Sequence, residues 1–226
     1  MLFDPRWLAI MVLSAVIGLL TQGYINRSFR KWSQVRSSTG MTGAEVARRV
    51  LDANGLPQLP IQAVGGNLTD HYDPRTKTLG LSSPVFGEAS VAAAGVAAHE
   101  AGHAVQDARG YVWGAIRTSL VPVVNIGSNF AWPAIFLGLF LRFTGLIWIG
   151  IAFYAGAVLF QLVTLPVEFD ASRRALESLQ TTGAIAPDQV PGARQVLTAA
   201  ALTYVGAALI SVLQLLYFIG LARGRD

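Results

Sequence analysis

The chain has 226 residues, 53% of them hydrophobic and only 13% charged, about half the charged share usual in a soluble domain, and its mean hydropathy of +0.47 points toward a lipid-facing composition. It contains no cysteine, which excludes disulfides, thiolate metal sites and cysteine nucleophiles and leaves His, Asp and Glu as metal ligands. The net charge of +4 would suit nucleic acid, but positive charge beside membrane spans has its own explanation in topology, so no nucleic-acid partner is expected.

The uncharged run from Trp7 to about Ile25 is long enough to cross a bilayer as a helix. Asp4 precedes it, and Gln22-Gly23-Tyr24-Ile25-Asn26-Arg27 follows in place of a small-residue cleavage site, so it reads as a retained anchor. Thr42-Gly43-Ala44-Glu45 fits a capping box, and Val46, Ala47, Val50 and Leu51 continue with helical spacing. A short amphipathic helix is predicted over 43–53, with Gly55 as its left-handed cap. Ile61–Val64 and Thr78–Ser82 read as short strands, with turn chemistry at Gly65-Gly66 and Asp73-Pro74-Arg75. After Ser90, the alanine- and valine-rich Val91–Gln106 reads as a helix. Three further spans follow, Thr118–Leu141, about Gly145–Leu165, and Val196–Ala222. Arg142-Phe143-Thr144-Gly145 is so short a connection that the second and third spans should form a helical hairpin.

Lys and Arg positions set the expected orientation. Residues 27–117 hold ten of them, and Arg173, Arg174 and Arg194 bring that side to thirteen. The other side holds four: Arg6, Arg142, Arg223 and Arg225. The large loop and the 168–195 segment should therefore face the cytoplasm, with both termini outside.

The chemistry concentrates on His99-Glu100-Ala101-Gly102-His103. Residues four apart on a helix share a face, so both imidazoles can reach one ion at zinc-ligand distance, roughly 2.0–2.1 Å. Glu100 sits beside the first histidine, where it can act as general base toward water activated at the metal without itself being a ligand. Ala97, Ala98, Ala101, Gly102 and Ala104 keep the flanks small, which favours close packing. A catalytic zinc usually takes three protein ligands and leaves a position open. Two spans separate His103 from residue 168, so the even number of crossings returns Pro166-Val167-Glu168-Phe169-Asp170 to the same side. Glu168 is the expected third ligand, with Asp170 the second choice; Arg173 and Arg174 either hold these acids or serve topology. In Leu68-Thr69-Asp70-His71-Tyr72-Asp73-Pro74, His71 or Tyr72 can stabilise an oxyanion by donating a hydrogen bond, or the segment is an ordinary turn.

These residues, Ala97–Gln106 with Leu68–Pro74 before and Glu168-Phe169-Asp170-Ala171-Ser172 after, resemble the YugP-type neutral zinc metallopeptidases of bacteria, over nearly the whole chain. The resemblance implies a gluzincin-like membrane peptidase with Zn2+ on His99, His103 and Glu168 and with Glu100 as base. More distantly the chain is similar to HtpX-like and prenyl-CAAX membrane peptidases. Those carry an Asp four residues after the ligand Glu to orient a zinc histidine; here that position is Ser172, which leaves the orienting group open, with Asp170 a candidate.

The fold expected is mainly α, multi-pass membrane helices with a small zincin-like catalytic unit of the H-E-x-x-H helix and short strands. It divides into an anchor (1–26), a catalytic region (27–117), a transmembrane hairpin (118–167), a third-ligand segment (168–195) and a C-terminal membrane helix (196–226). The expected function is a zinc endopeptidase in the bacterial cytoplasmic membrane, acting on peptides or proteins, membrane proteins among them. The edge of the Thr78–Ser82 strand offers an extended peptide main-chain pairing. A site-2-type intramembrane protease is the first alternative, but only about eight apolar residues precede His99, and the third and fourth spans contain no Asp. A non-catalytic zinc-stabilised membrane scaffold is the second; it would have no need of Glu100.

Overall fold

The computed structural model describes residues 4–224. The elements run α1 (Pro5–Ser33), α2 (Gly43–Ala53), β1 (Ile61–Val64), β2 (His71–Asp73), β3 (Thr78–Ser82), α3 (Ser83–Gly87), α4 (Val91–Ala108), α5 (Val112–Phe140), α6 (Thr144–Thr181) and, after a 3-10 turn at Pro187–Gln189, α7 (Val190–Arg223). The fold is mainly helical, as expected. Helices α1, α5 and α6 and the stretch Pro187–Arg223 are long and apolar enough to cross a membrane. Each outruns its apolar stretch in the sequence. Hydropathy marks only the part without charge, whereas a helix continues as long as one face finds a partner. In α6 that face is Glu168, Ala171, Ala175 and Leu179, all buried. Pro166 lies inside this helix without ending it.

Contacts divide the chain into two compact units. The first takes the residues up to Gln22, Ala115–Pro166, and those from Thr203 on. Its core is Trp7, Ala131, Ile135, Ile147, Ile151, Tyr154, Val158, Phe218 and Ala222. The expected hairpin is present. Phe143 N–H donates to the Gly138 carbonyl and Arg142 N–H to that of Leu139, with Arg142 in the left-handed region at φ +52°. This is a Schellman ending, made with arginine where glycine is usual. Large apolar side chains such as Leu19, Leu20 and Phe140 point outward, as lipid-facing helices require.

The second unit takes Gly23–Gly114 and Val167–Leu202. Thr42 caps α2 as read from the sequence. Its hydroxyl accepts from Glu45 N–H, while the Glu45 carboxylate accepts from Thr42 N–H at 2.7 Å. That backbone hydrogen bond, followed by one from the Thr42 hydroxyl, holds the Glu45 carboxyl below its ordinary pKa. Gly55 follows at φ +79°, and Leu56 N–H closes the cap on the Leu51 carbonyl. Val46, Ala47, Val50 and Leu51 of α2 pack with Leu79 and Leu81 of β3 and the alanine face of α4 in one core.

The sheet order is β1-β3-β2, with β3 parallel to β1 and antiparallel to β2. Thr78–Ser82 is therefore the central strand, paired on both sides, and the expectation that its edge would receive a peptide is corrected. The strand that covers it is His71–Asp73, three residues too short to show a period. Asp73 builds the turn that follows, accepting from Arg75 N–H and the Thr76 hydroxyl. The outer edges of this sheet belong to β1 and β2.

Candidate metal centre

Helix α4 starts at Ser90, whose hydroxyl accepts from Ala93 N–H at 3.1 Å. From there small side chains bury most of its length: Ala92, Ala93, Ala94, Ala97, Ala98, Ala101 and Ala104 are all buried. They let α6 approach closely. A Cβ placed on Gly102 would stand 2.9 Å from the backbone oxygen of Ala171. This brings Glu168, one turn before Ala171 and 1% exposed, onto the face where α4 carries His99 and His103. Helix α4 is not one of the four apolar helices.

Three donor atoms converge there, each within 4.8 Å of the others. His99 Nε2 lies 3.2 Å from Glu168 Oε2, His103 Nε2 lies 3.6 Å from the same oxygen, and the two Nε2 atoms are 3.2 Å apart. Donors at roughly 2.0–2.1 Å from one tetrahedral ion stand about 3.3 Å from one another. The three separations match that edge, and two imidazole nitrogens with a carboxylate oxygen are donor types zinc takes. The residues present fit a zinc ion.

The outer ring nitrogens are held as well. Gln106 donates its amide N–H to the Val167 carbonyl and to Asp170 Oδ2, both at 2.9 Å. Both are acceptors, so the Gln106 oxygen is the atom turned to His103, where it accepts from Nδ1 at 3.0 Å. That assignment leaves the His103 Nε2 lone pair facing the centre. His99 Nδ1 is 3.2 Å from the Ser172 hydroxyl. Both groups the sequence left open thus have places. Ser172 touches His99 itself, and Asp170 reaches His103 only through Gln106. Asp170 is in turn bridged by Arg173 and Arg174, each at 2.5 Å, so the arginines do hold this acid.

The other candidates lie outside the three-donor group. His71 is exposed on β2, with Nδ1 2.8 Å from the Thr69 carbonyl oxygen and its ring over Gly80. Tyr72 donates its hydroxyl to Asp107 Oδ2 at 2.6 Å, an oxygen that Lys77 also binds. Burial first, then the hydrogen bond to Asp107, pushes the Tyr72 phenol well above its ordinary pKa and keeps it protonated. Glu100 is partly buried on α4, and its carboxylate makes no hydrogen bond or ion pair among the described residues. Gln106 and Asp107 are the functional neighbours that sequence reasoning missed. Both stand within four residues of His103, which was the available signal.

Residues 7–223 match the family described as "Putative neutral zinc metallopeptidase". The chain is 46% identical over 223 residues to the "Putative membrane protease YugP" of Bacillus subtilis (strain 168), covering 97% of this chain and 99% of that protein. No solved structure matches it. With the family match spanning nearly the whole chain, and with two histidines and a glutamate gathered as a zinc site requires, this protein belongs to the family described as "Putative neutral zinc metallopeptidase".

Proposed function

We propose that the chain is a membrane-embedded zinc endopeptidase, with His99, His103 and Glu168 as ligands and Glu100 as general base. The observation that carries this reading is the three-donor centre with an uncommitted carboxylate, Glu100, on the helix that carries both histidines. When bound, zinc supplies Lewis acidity that polarises a peptide carbonyl and makes water nucleophilic near neutral pH. The chain's own groups do the rest. Ser172 and Gln106 orient the two imidazoles so that their Nε2 atoms point inward. The Glu100 carboxylate takes a proton from the water that attacks the carbonyl carbon, then returns it to the amine nitrogen as the C–N bond breaks.

The substrate is a peptide segment of a protein, membrane proteins included, bound in extended form. The open edge of β2 supports this, because β2 packs on α4 and its Tyr72 is tied to Asp107, one turn beyond His103. Thirteen of the seventeen Lys and Arg residues fall on the side read as cytoplasmic, which supports a site facing the cytoplasm from the bacterial cytoplasmic membrane.

The direct test is Glu100→Gln in the purified protein, assayed on a denatured membrane protein. Cleavage should fall by about 10²–10⁴-fold, the usual contribution of a general base. Zinc content and melting temperature should stay at wild-type values, whereas His99→Ala should lose metal and activity together. Wild-type cleavage by Glu100→Gln would overturn the peptidase reading whatever zinc the protein holds.

A further inference from the structure

Between the later part of α6 and the start of α7, within the unit that holds the metal centre, lies an open groove of about 550 Å³. Its walls combine apolar side chains with a few charged ones. Leaving the apolar run of α6, the lining passes Phe169 and Arg173, then Leu176, Glu177 and Gln180. Approaching the apolar run of α7, it is Arg194, then Leu197, Thr198 and Ala201. On each wall a guanidinium stands one or two turns outboard of an apolar side chain, and that side chain adjoins a run long enough to span a bilayer.

The charge in the groove is unbalanced. Glu177 is its one lining carboxylate, bridged to Arg173 at 3.3 Å, and Asp170 holds the same guanidinium, so Arg173 is already answered by two acids. Arg194 is exposed and makes no hydrogen bond or ion pair among the described residues. Its guanidinium is available to an anion, and the apolar walls favour an anion that carries a hydrocarbon chain. A tryptophan packs on the turn of α7 that carries this arginine. Trp32 donates its indole N–H to Gln195 at 2.8 Å, and its ring fills the space over Gly192. Tryptophan prefers the level where lipid headgroups meet water.

We infer that the α6–α7 groove binds an anionic phospholipid, its phosphate at Arg194 and an acyl chain along Phe169, Leu197 and Ala201. A basic pocket between membrane helices suits such a headgroup. The inference rests on the membrane reading above but not on the peptidase chemistry.

The test uses the full chain purified in a neutral detergent and titrated with phosphatidylglycerol or phosphatidylcholine, with bound lipid counted by native mass spectrometry. Wild type should prefer phosphatidylglycerol. Arg194→Glu should weaken that binding on the order of tenfold, since each basic residue near an anionic headgroup contributes about that order. Arg75→Glu makes the same change of charge away from the groove and should leave binding intact. Thr198→Trp, which fills the groove without removing a charge, should weaken lipid binding at least as much as Arg194→Glu does. Equal phosphatidylglycerol binding by wild type and Arg194→Glu, or an equal loss in Arg75→Glu, would overturn the site. Arg194-dependent binding of a tetraglutamate peptide in place of the lipid would also overturn it and assign the groove to substrate. Failure of the membrane reading looks different: the chain would come from cells in the soluble fraction, without detergent.

Discussion

Gln106 accepts a hydrogen bond from His103 Nδ1 and, through its amide nitrogen, ties that histidine to Val167 and Asp170 on the facing helix. One side chain thus sets a ring orientation and joins the two helices that supply the metal donors. Groups that orient a metal-binding histidine typically contribute 10–100-fold to affinity. Gln106→Leu keeps a helix-forming side chain of similar size but can neither accept from His103 nor donate to Asp170. Zinc affinity, measured by competition with a chromophoric chelator, should fall by about that factor while helix content stays unchanged. Wild-type affinity in Gln106→Leu would mean that the imidazole needs no partner at Nδ1.

Two glycines of α4 should respond in opposite ways to alanine. Alanine in a helix interior is favoured over glycine by about 1 kcal/mol. A Cβ at Gly95 would meet Ala193 at 3.5 Å, an ordinary contact, so Gly95→Ala should stabilise the protein by up to about that amount. At Gly102 the Cβ would stand 2.9 Å from the Ala171 backbone oxygen, and backbone cannot rotate aside as a side chain can. Overpacking costs about 1–3 kcal/mol, which outweighs the propensity gain. Gly102→Ala should therefore lower the melting temperature. It should also weaken zinc binding, because moving α6 away carries Glu168 with it. Thermal melts of the two variants decide this, and a stabilised Gly102→Ala would show that α4 and α6 do not approach so closely.

What the sequence made legible was local. The Thr42–Glu45 box, the Gly55 cap and the i, i+4 histidines each rest on residues within four positions of one another, where helix geometry alone decides the contact. Glu168 was reachable by counting membrane crossings, which needs only the number of spans. The sheet order was not legible, since His71–Asp73 is too short to show alternation and looked like turn chemistry. The continuation of α6 to Thr181 was hidden because its buried stripe from Glu168 to Leu179 is mixed with charged residues on the outer face. Ser172 against His99 depends on how two helices 73 residues apart are rotated, which no spacing within one helix specifies.

Orientation in the membrane is open to direct chemical labelling, because the chain has no cysteine of its own. Ser83 opens α3 in the unit that carries the metal centre, and Thr144 opens α6 at the hairpin turn of the other unit. With single cysteines at these positions, a membrane-impermeant thiol reagent applied to intact cells should label Thr144→Cys and spare Ser83→Cys. Disrupting the cells should then expose Ser83→Cys to the reagent. Labelling of Ser83→Cys but not Thr144→Cys in intact cells would reverse the topology and place the site outside.

Glu168 and Asp170 lie two residues apart on α6, yet the structure gives them different work, and removing each should tell them apart. Glu168 faces both Nε2 atoms, at 3.2 and 3.6 Å, and is 1% exposed. Asp170 faces Arg173, Arg174 and Gln106 instead. Glu168→Ala removes one of three donors and leaves two histidines that cannot complete a zinc site, so the purified variant should carry essentially no zinc. Asp170→Ala leaves all three donors in place. It strands Arg174, which is only partly exposed, and removes the partner that steadies Gln106. Its zinc should persist with affinity lowered by about 10–100-fold, the range for a lost orienting group, and its melting temperature should fall. Metal content by inductively coupled plasma mass spectrometry, followed by chelator competition, separates the two. If Asp170→Ala empties the site and Glu168→Ala retains its zinc, the third ligand is Asp170 and α6 must present the opposite face to the histidines.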